Sequence, residues 1–193
     1  MTTTLRLDQG WTVRAVSGPV PRHIAGRRIP ATVPGSIHLD LMAAGLIPDP
    51  YLGLNEGRLG WIGRCGWRYE ADVDWPGTAA ERVELVADGL DTIAAIELNG
   101  SLVGHAANMH RGYRFDVRDL LRTGRNRLAV TFAAPLDAAE QAAARLGPRP
   151  GAYPLPTTPF ARWPATSAGT GGRSWSPAGS GGRSGWRVGP GRG

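Results

Sequence analysis

Residues 92–106 read TIAAIELNGSLVGHA, two runs that alternate apolar with small or polar residues and meet at Asn99-Gly100. An Asn-Gly pair favours the type I′ turn, because both residues tolerate positive φ and the turn's twist matches the strands it joins. This stretch therefore predicts an antiparallel hairpin, and a hairpin commits the chain to a sheet. The same period of two recurs in WRYEADVDW (67–75) and in ERVELVAD (81–88), where Val83, Leu85 and Ala87 share one face. GYRFDV and NRLAVTFAAP supply two more strands, separated by RDLLRTG, a helical turn that Gly124 closes. Many short strands punctuated by turn signals predict an all-β fold, an antiparallel β-sandwich.

Helix signals are few. Ser36 is placed to cap IHLDLMAAG, with Ile37, Leu41 and Ala44 on one face and Gly45 just past the end. LDAAEQAAARLG (136–147) is alanine-rich and is stopped by Gly147 and Pro148. RPGAYPLPTTP then reads as a connector. From Ala161 onward no period of 2 or 3.6 emerges, and so glycine-rich a tail lacks the apolar surface to offset ordering entropy. The sequence thus divides into a sandwich over residues 1–160 and a disordered Gly/Arg/Ser-rich tail over 161–193.

Charge narrows the function classes. The formal net charge is +6 and every basic residue is arginine, which invites a nucleic-acid partner. Five of the arginines lie at or beyond Arg162, where there is no acid, so the first 160 residues sum to only +1. Their charges alternate in sign and form no basic face. Nucleic-acid binding through the tail, by stacking and cationic contacts, is the least favoured reading. The single cysteine, Cys65, allows no intrachain disulfide and no thiolate metal cluster. His23, His38, His105 and His110 have no metal-ligand spacing. No dinucleotide fingerprint, phosphate loop or nucleophile elbow occurs, so neither metal nor cofactor is expected. With no secretory leader and no apolar run near the roughly 20 residues of a membrane helix, a soluble cytoplasmic chain is expected, without membrane association.

One stretch calls for a functional account. PDPYLGLNEGRLGW (48–61) is a long irregular segment inside a compact domain; such loops are usually functional or disordered, and its aromatic residues and few flexible ones argue against disorder. Asp49, Tyr51, Asn55, Glu56 and Trp61 are the groups a sugar site uses: hydrogen-bonding side chains for hydroxyls and an aromatic face for the ring's C–H surface. The alternative is a loop that packs on its own sandwich, with Trp61 and Trp67 as core anchors.

Five ordered blocks, VPGSIHLDL, IPDPYLGLNE, WIGRCGWRYE, GLDTIAAIELNG and NMHRGYRFDV, resemble the N-terminal domain of β-mannosidases. These enzymes belong to the large glycoside hydrolase group that includes β-galactosidase and β-glucuronidase. The resemblance covers roughly residues 10 to 160. It implies a galactose-binding-like jelly roll and adds Asn108, in the last block, to the sugar-contacting set. It also implies that the intact enzyme removes terminal non-reducing β-mannose from oligosaccharides with retention. Two glutamates on a following (β/α)8 barrel, about 5 Å apart, would do that chemistry. No residue of this chain matches either glutamate; Glu56 falls in the jelly-roll loop. The chain is therefore expected to be a truncated part of such an enzyme, inactive without its barrel partner domains. It should also be prone to aggregate through the surface that those domains would cover. A free-standing carbohydrate-binding module is the rival reading.

The family continues, after its sandwich, into a block close to FGWDWGP. Here that block should follow FAR, and it is absent. Because tryptophan has one codon, Trp163, Trp175 and Trp186 fix the DNA at three points. Back-translated WPATSAGTGG, read with each triplet starting one base earlier, is compatible with MACNFGWDWG. RSWSPAGSGGRS is compatible with a continuation ending GIWRP. The expectation is a reading-frame slip near Arg162, with the tail translated out of frame.

Overall fold

A computed structural model describes residues 4–146 and 186–190 of the chain. Its elements begin with strands β1 (Leu5–Arg6), β2 (Trp11–Ser17) and β3 (Ile29–Ala31), then helices α1 (Ile37–Ala43) and α2 (Asn55–Arg58). A 3-10 turn (Gly60–Arg64) leads into β4 (Gly66–Trp75), followed by β5 (Val83–Ala87), β6 (Ala94–Leu98) and β7 (Ser101–Ala106). Strands β8 (Tyr113–Asp116) and β9 (Gly124–Phe132), helix α3 (Pro135–Leu146) and strand β10 (Trp186–Pro190) complete them. The strands form two antiparallel sheets, one of order β1-β10-β5-β8 and one of order β3-β2-β4-β9-β6-β7. This is the expected antiparallel jelly-roll sandwich.

The hairpin forms as its dipeptide predicts, with φ of 55° at Asn99 and 84° at Gly100. The asparagine also reaches beyond the turn. Its backbone N–H donates to the carbonyl of Arg127 at 2.8 Å, and its Oδ1 accepts from the Arg127 N–H at 2.9 Å. The turn is thereby stapled to β9, the central neighbour of both β4 and β6.

The core lies between the sheets. Trp11, Val13, Trp67, Ile96, Leu128 and Val130 are all buried in it. Helix α1 closes one side of the sandwich. Ser36 caps it by accepting from the Leu39 N–H at 3.3 Å, and Gly45 ends it at φ 67°. Ile37 and Leu41 are buried as expected, whereas Ala44 is the exposed C-cap residue, since the helix stops one residue before it. Buried Asp40 ties the helix to the sheet: Oδ1 accepts from the Thr32 N–H at 2.9 Å and Oδ2 from the Tyr69 hydroxyl at 3.2 Å. Burial pushes its carboxyl above the ordinary range, while those two hydrogen bonds pull it back.

Two expectations need amendment. Strand β5 does not alternate in burial, because all five of its residues are buried. On the face opposite Val83, Leu85 and Ala87, Glu84 is covered by Arg82 at 3.2 Å and Arg114 at 3.0 Å. The tail, read as lacking regular structure, contributes β10: its Trp186–Pro190 segment lies between β1 and β5, with Val188 opposite both Leu5 and Leu85. The rest of the Gly/Arg/Ser-rich stretch lies outside the described residues. Among the described residues, no helix is long and apolar enough to cross a membrane.

Candidate functional site

The 48–61 loop is ordered from within by its own polar side chains. Asp49 Oδ1 accepts from the Tyr51 N–H at 2.9 Å, a turn typical of aspartate. The Asp49 carbonyl accepts from Asn55 Nδ2 at 3.0 Å, and the Leu59 N–H then donates back to the Asn55 carbonyl at 3.1 Å. Three apolar anchors, Ile47, Leu59 and Ile62, sink the loop into the core. Trp67 is buried below it and donates its indole N–H to the Ile62 carbonyl at 3.2 Å. Trp61 is half-buried against Trp67, with ring centroids 6.2 Å apart and planes tilted by 48°.

Arg64 fastens the far end of this segment to α3, with contacts of 3.1 Å to Asp137 and 2.7 Å to Glu140. On the other side, Gly18 has φ 93° and its backbone lies so close to Arg64 that a Cβ would strike the Arg64 carbonyl. The loop therefore stands on a fixed base. What it presents outward is Tyr51 (84% exposed), Leu52 (64%) and Leu54 (85%), with Glu56 beside them in sequence and also exposed.

The candidate sugar residues thus divide. Asp49 and Asn55 are joined by a hydrogen bond, Tyr51 is attached to Asp49 through its backbone, and Trp61 leans on the core. Tyr51 and Glu56 have side chains facing solvent. Asn108 sits apart, in the connection between β7 and β8. Its Oδ1 accepts from the His110 N–H at 2.9 Å and its backbone N–H donates to the Tyr113 hydroxyl at 2.9 Å. Among the described residues, no hydrogen bond or ring contact links Asn108 to the 48–61 loop.

Cys65 closes the segment and is fully buried. Burial, helped by the charge of Asp137, pushes its thiol up to about 11. The native protein is therefore expected to leave Cys65 unmodified by a thiol-reactive chromophore at pH 8, and to react with one equivalent once denatured. Rapid native labelling would show the 3-10 turn to be open.

Sequence reasoning missed a second constellation, on the outer face of the six-stranded sheet. Arg68, Glu70 and Asp72 alternate along β4 and face outward, next to Arg14 of β2 and Arg127 of β9. The Glu70 side chain is only 8% exposed, yet it receives Arg28 at 2.9 Å, Arg127 at 3.0 Å and Arg68 at 3.1 Å. Arg14 Nε lies 3.8 Å from it. Burial works to raise the Glu70 carboxyl, but Arg68, Arg127 and Arg28 outweigh it and hold the group below its usual value. Arg68 reaches on to Glu97 at 2.6 Å. The alternating charges were legible in sequence; that one buried carboxylate would gather four arginines was not. Among the described residues, no group of three or more His, Cys, Asp or Glu side chains is placed to hold a metal ion.

Two antiparallel sheets, short capping helices and an ordered loop at the rim define a galactose-binding-like sandwich. The chain belongs to the glycosyl hydrolase 2 galactose-binding domain-like family, whose model matches residues 11–180. A solved β-D-mannosidase from Dictyoglomus thermophilum has the same fold, with a TM-score of 0.68 and 35% identity over 76% of this chain. Beta-mannosidase B of Thermothelomyces thermophilus is 35% identical over 127 residues, 65% of this chain. The mouse β-mannosidase is 37% identical over 114 residues, 58% of this chain. An exo-chitosanase from Amycolatopsis orientalis, at 19% identity over 68% of this chain and a TM-score of 0.57, shares the fold alone. The chain spans 17% of the Dictyoglomus protein and 14% and 13% of the two curated relatives.

Proposed function

We propose that this chain is the N-terminal, non-catalytic sandwich of a β-mannosidase-type glycoside hydrolase. The whole enzyme would release terminal non-reducing β-mannose with retention of configuration. The observation that carries this reading is the agreement of sequence and fold with the Dictyoglomus β-D-mannosidase across three quarters of the chain. In this reading the 48–61 loop, with Asp49, Tyr51, Asn55, Glu56 and Trp61, and the Asn108 turn approach the edge of a sugar site that barrel domains complete. Two features support it: the loop is anchored firmly, and its tip holds three large apolar side chains in water. A surface of that kind marks a contact still to be made.

The chain alone supplies no catalytic carboxylate pair in this reading. The 193-residue protein is expected to release no nitrophenol from 4-nitrophenyl β-mannoside above the buffer rate; turnover would overturn the assignment of catalysis to a barrel. The tail belongs to the same proposal, as translation that has slipped by one base near Arg162. DNA sequenced across that point should show a shifted frame that stays open for a barrel, which takes about 250 residues. Expressed in that frame, the protein should cleave the β-mannoside in preference to the β-galactoside and β-glucuronide. An early stop codon would end the frame proposal, and a different glycoside preference would end the mannosidase reading.

The exposed Tyr51 ring favours one rival, a free-standing glycan-binding module. Calorimetric titration with manno-oligosaccharides separates the two, because the non-catalytic domain is expected to show no measurable heat of binding.

A further inference from the structure

The arginine-lined face of the six-stranded sheet shares no lining residue with the loop just discussed. Arg14, Arg28, Arg68, Glu70, Glu97 and Arg127 border a hollow of about 400 Å3 there. It exists because Ala129, the residue of β9 paired with both Glu70 and Glu97, is too small to fill the face, and Gly100 leaves the rim low. Hollows of about 300–1,000 Å3 are the size small molecules occupy.

The charges around it do not balance. Four guanidinium groups face two carboxylates. The neighbouring Asp72 does not cancel this excess: Arg125 engages it at 2.6 Å, and it acts on Arg127 only as a further, weaker neighbour. Each nitrogen of Arg68 already donates, to Glu70 at 3.1 Å, Thr131 at 2.9 Å and Glu97 at 2.6 Å. Arg14, Arg28 and Arg127 instead share the single carboxylate of Glu70. The Nε of Arg14 is buried without a hydrogen-bond partner. A buried donor left unmatched is uncommon, and here the Glu70 carboxylate, whose Oε2 lies 3.8 Å away, is already shared among the other arginines. Guanidinium forks match carboxylate and phosphate oxygens. Glu97 gives only Oε2 to Arg68, so Oε1 is left to accept from a hydroxyl.

The geometry points to a binding site for a monosaccharide-sized oxyanion, its carboxylate or phosphate held by Arg14, Arg28 and Arg127 and a hydroxyl by Glu97. Titration calorimetry on the 193-residue protein in low salt tests it, with inorganic phosphate, glucose 6-phosphate, glucuronate and neutral glucose as probes. Both sugar anions are expected to bind saturably and at least tenfold more tightly than inorganic phosphate, while glucose does not bind. The tighter of the two sugar anions identifies the source as phosphate or carboxylate. Arg28→Gln and Arg127→Gln should each weaken binding at least tenfold, and Arg58→Gln, on α2, should leave it unchanged. Both target side chains are about half exposed, so the fold should survive. Should either variant unfold, amide shift mapping on the unaltered protein replaces it, with the changes expected at residues 12–14, 68–72 and 127–129. No saturable binding by the unaltered protein, equal loss in Arg58→Gln, or shifts confined elsewhere would overturn the site.

Discussion

Replacing Asn126 by alanine is expected to destabilise the sandwich by about 3–5 kcal/mol, through polar groups left unmatched in a dry interior. Asn126 is 1% exposed. Its Oδ1 accepts from Asn99 Nδ2 at 2.8 Å and from the Arg122 N–H at 2.8 Å. Its Nδ2 donates to the Arg122 carbonyl at 2.6 Å and to the Gly124 carbonyl at 2.8 Å. Every hydrogen-bonding position of the amide is used. One side chain therefore holds the 122–124 turn against β9 and, through Asn99, against the hairpin.

Alanine removes all four bonds and leaves their partners on Asn99, Arg122 and Gly124 unmatched. Each net hydrogen bond is worth about 1 kcal/mol, and each buried group left unpaired costs about 1–3 kcal/mol. Aspartate in the same place would keep the acceptor, lose both donors and bury a charge, so it should be no better than alanine. Urea unfolding followed by tryptophan fluorescence measures the difference. A loss below about 1 kcal/mol would mean that the amide is not the keystone its geometry makes it.

Asn126 also shows what the sequence could and could not convey. Asn99-Gly100 announced itself, because the demand for positive φ is local and few residues meet it. The alternating strands were legible for the same reason: period two needs only neighbours along the chain. Asn126 opens NRLAVTFAAP and reads as an ordinary polar residue at a strand start. Its importance comes from Arg122, Gly124 and Asn99, and Asn99 lies in the distant β6–β7 turn. The outer-face hollow failed to show for the same reason. Arg14, Arg28, Glu70 and Arg127 come from four separate stretches, brought together only by the order β3-β2-β4-β9.

The 48–61 loop lies between these cases. Its residue types pointed to a sugar-facing segment, but the side chains divide in use. Asp49 and Asn55 shape the backbone, Trp61 packs, and Tyr51 and Glu56 meet solvent. A list of hydrogen-bonding residues cannot distinguish a group that builds a loop from one that the loop displays. Burial is what separates them.

Truncation after Gly185 is expected to abolish the cooperative thermal transition, although the segment removed looks dispensable in sequence. Among the described residues, strand β10 is the sole partner of β1 and one of two partners of β5. It pairs with five residues of β5 and two of β1. Without it β1 has no sheet to join, β5 becomes an edge, and the cover that Val188 gives the core, at 2% exposure, is lost. Burying one valine is worth about 1.5–3 kcal/mol, before the strand pairing is counted. Sequence reasoning passed over these residues because WRVGP has one aliphatic side chain and ends in glycine and proline.

The slot asks for little more than that. Ladder bonds come from the backbone, and the inward position needs one apolar group between Leu5 and Leu85, which Val188 supplies. A segment translated out of frame, as proposed for this tail, can meet so weak a demand. Val188→Asp should therefore reproduce most of the truncation's effect, since it keeps the backbone and places a carboxylate among Leu5, Leu85 and their neighbours. Removing residues 191–193 alone should be silent. Differential scanning calorimetry of the three variants decides the matter. Should the truncated and Val188→Asp proteins melt with the enthalpy and midpoint of the full chain, β10 contributes nothing to the sandwich.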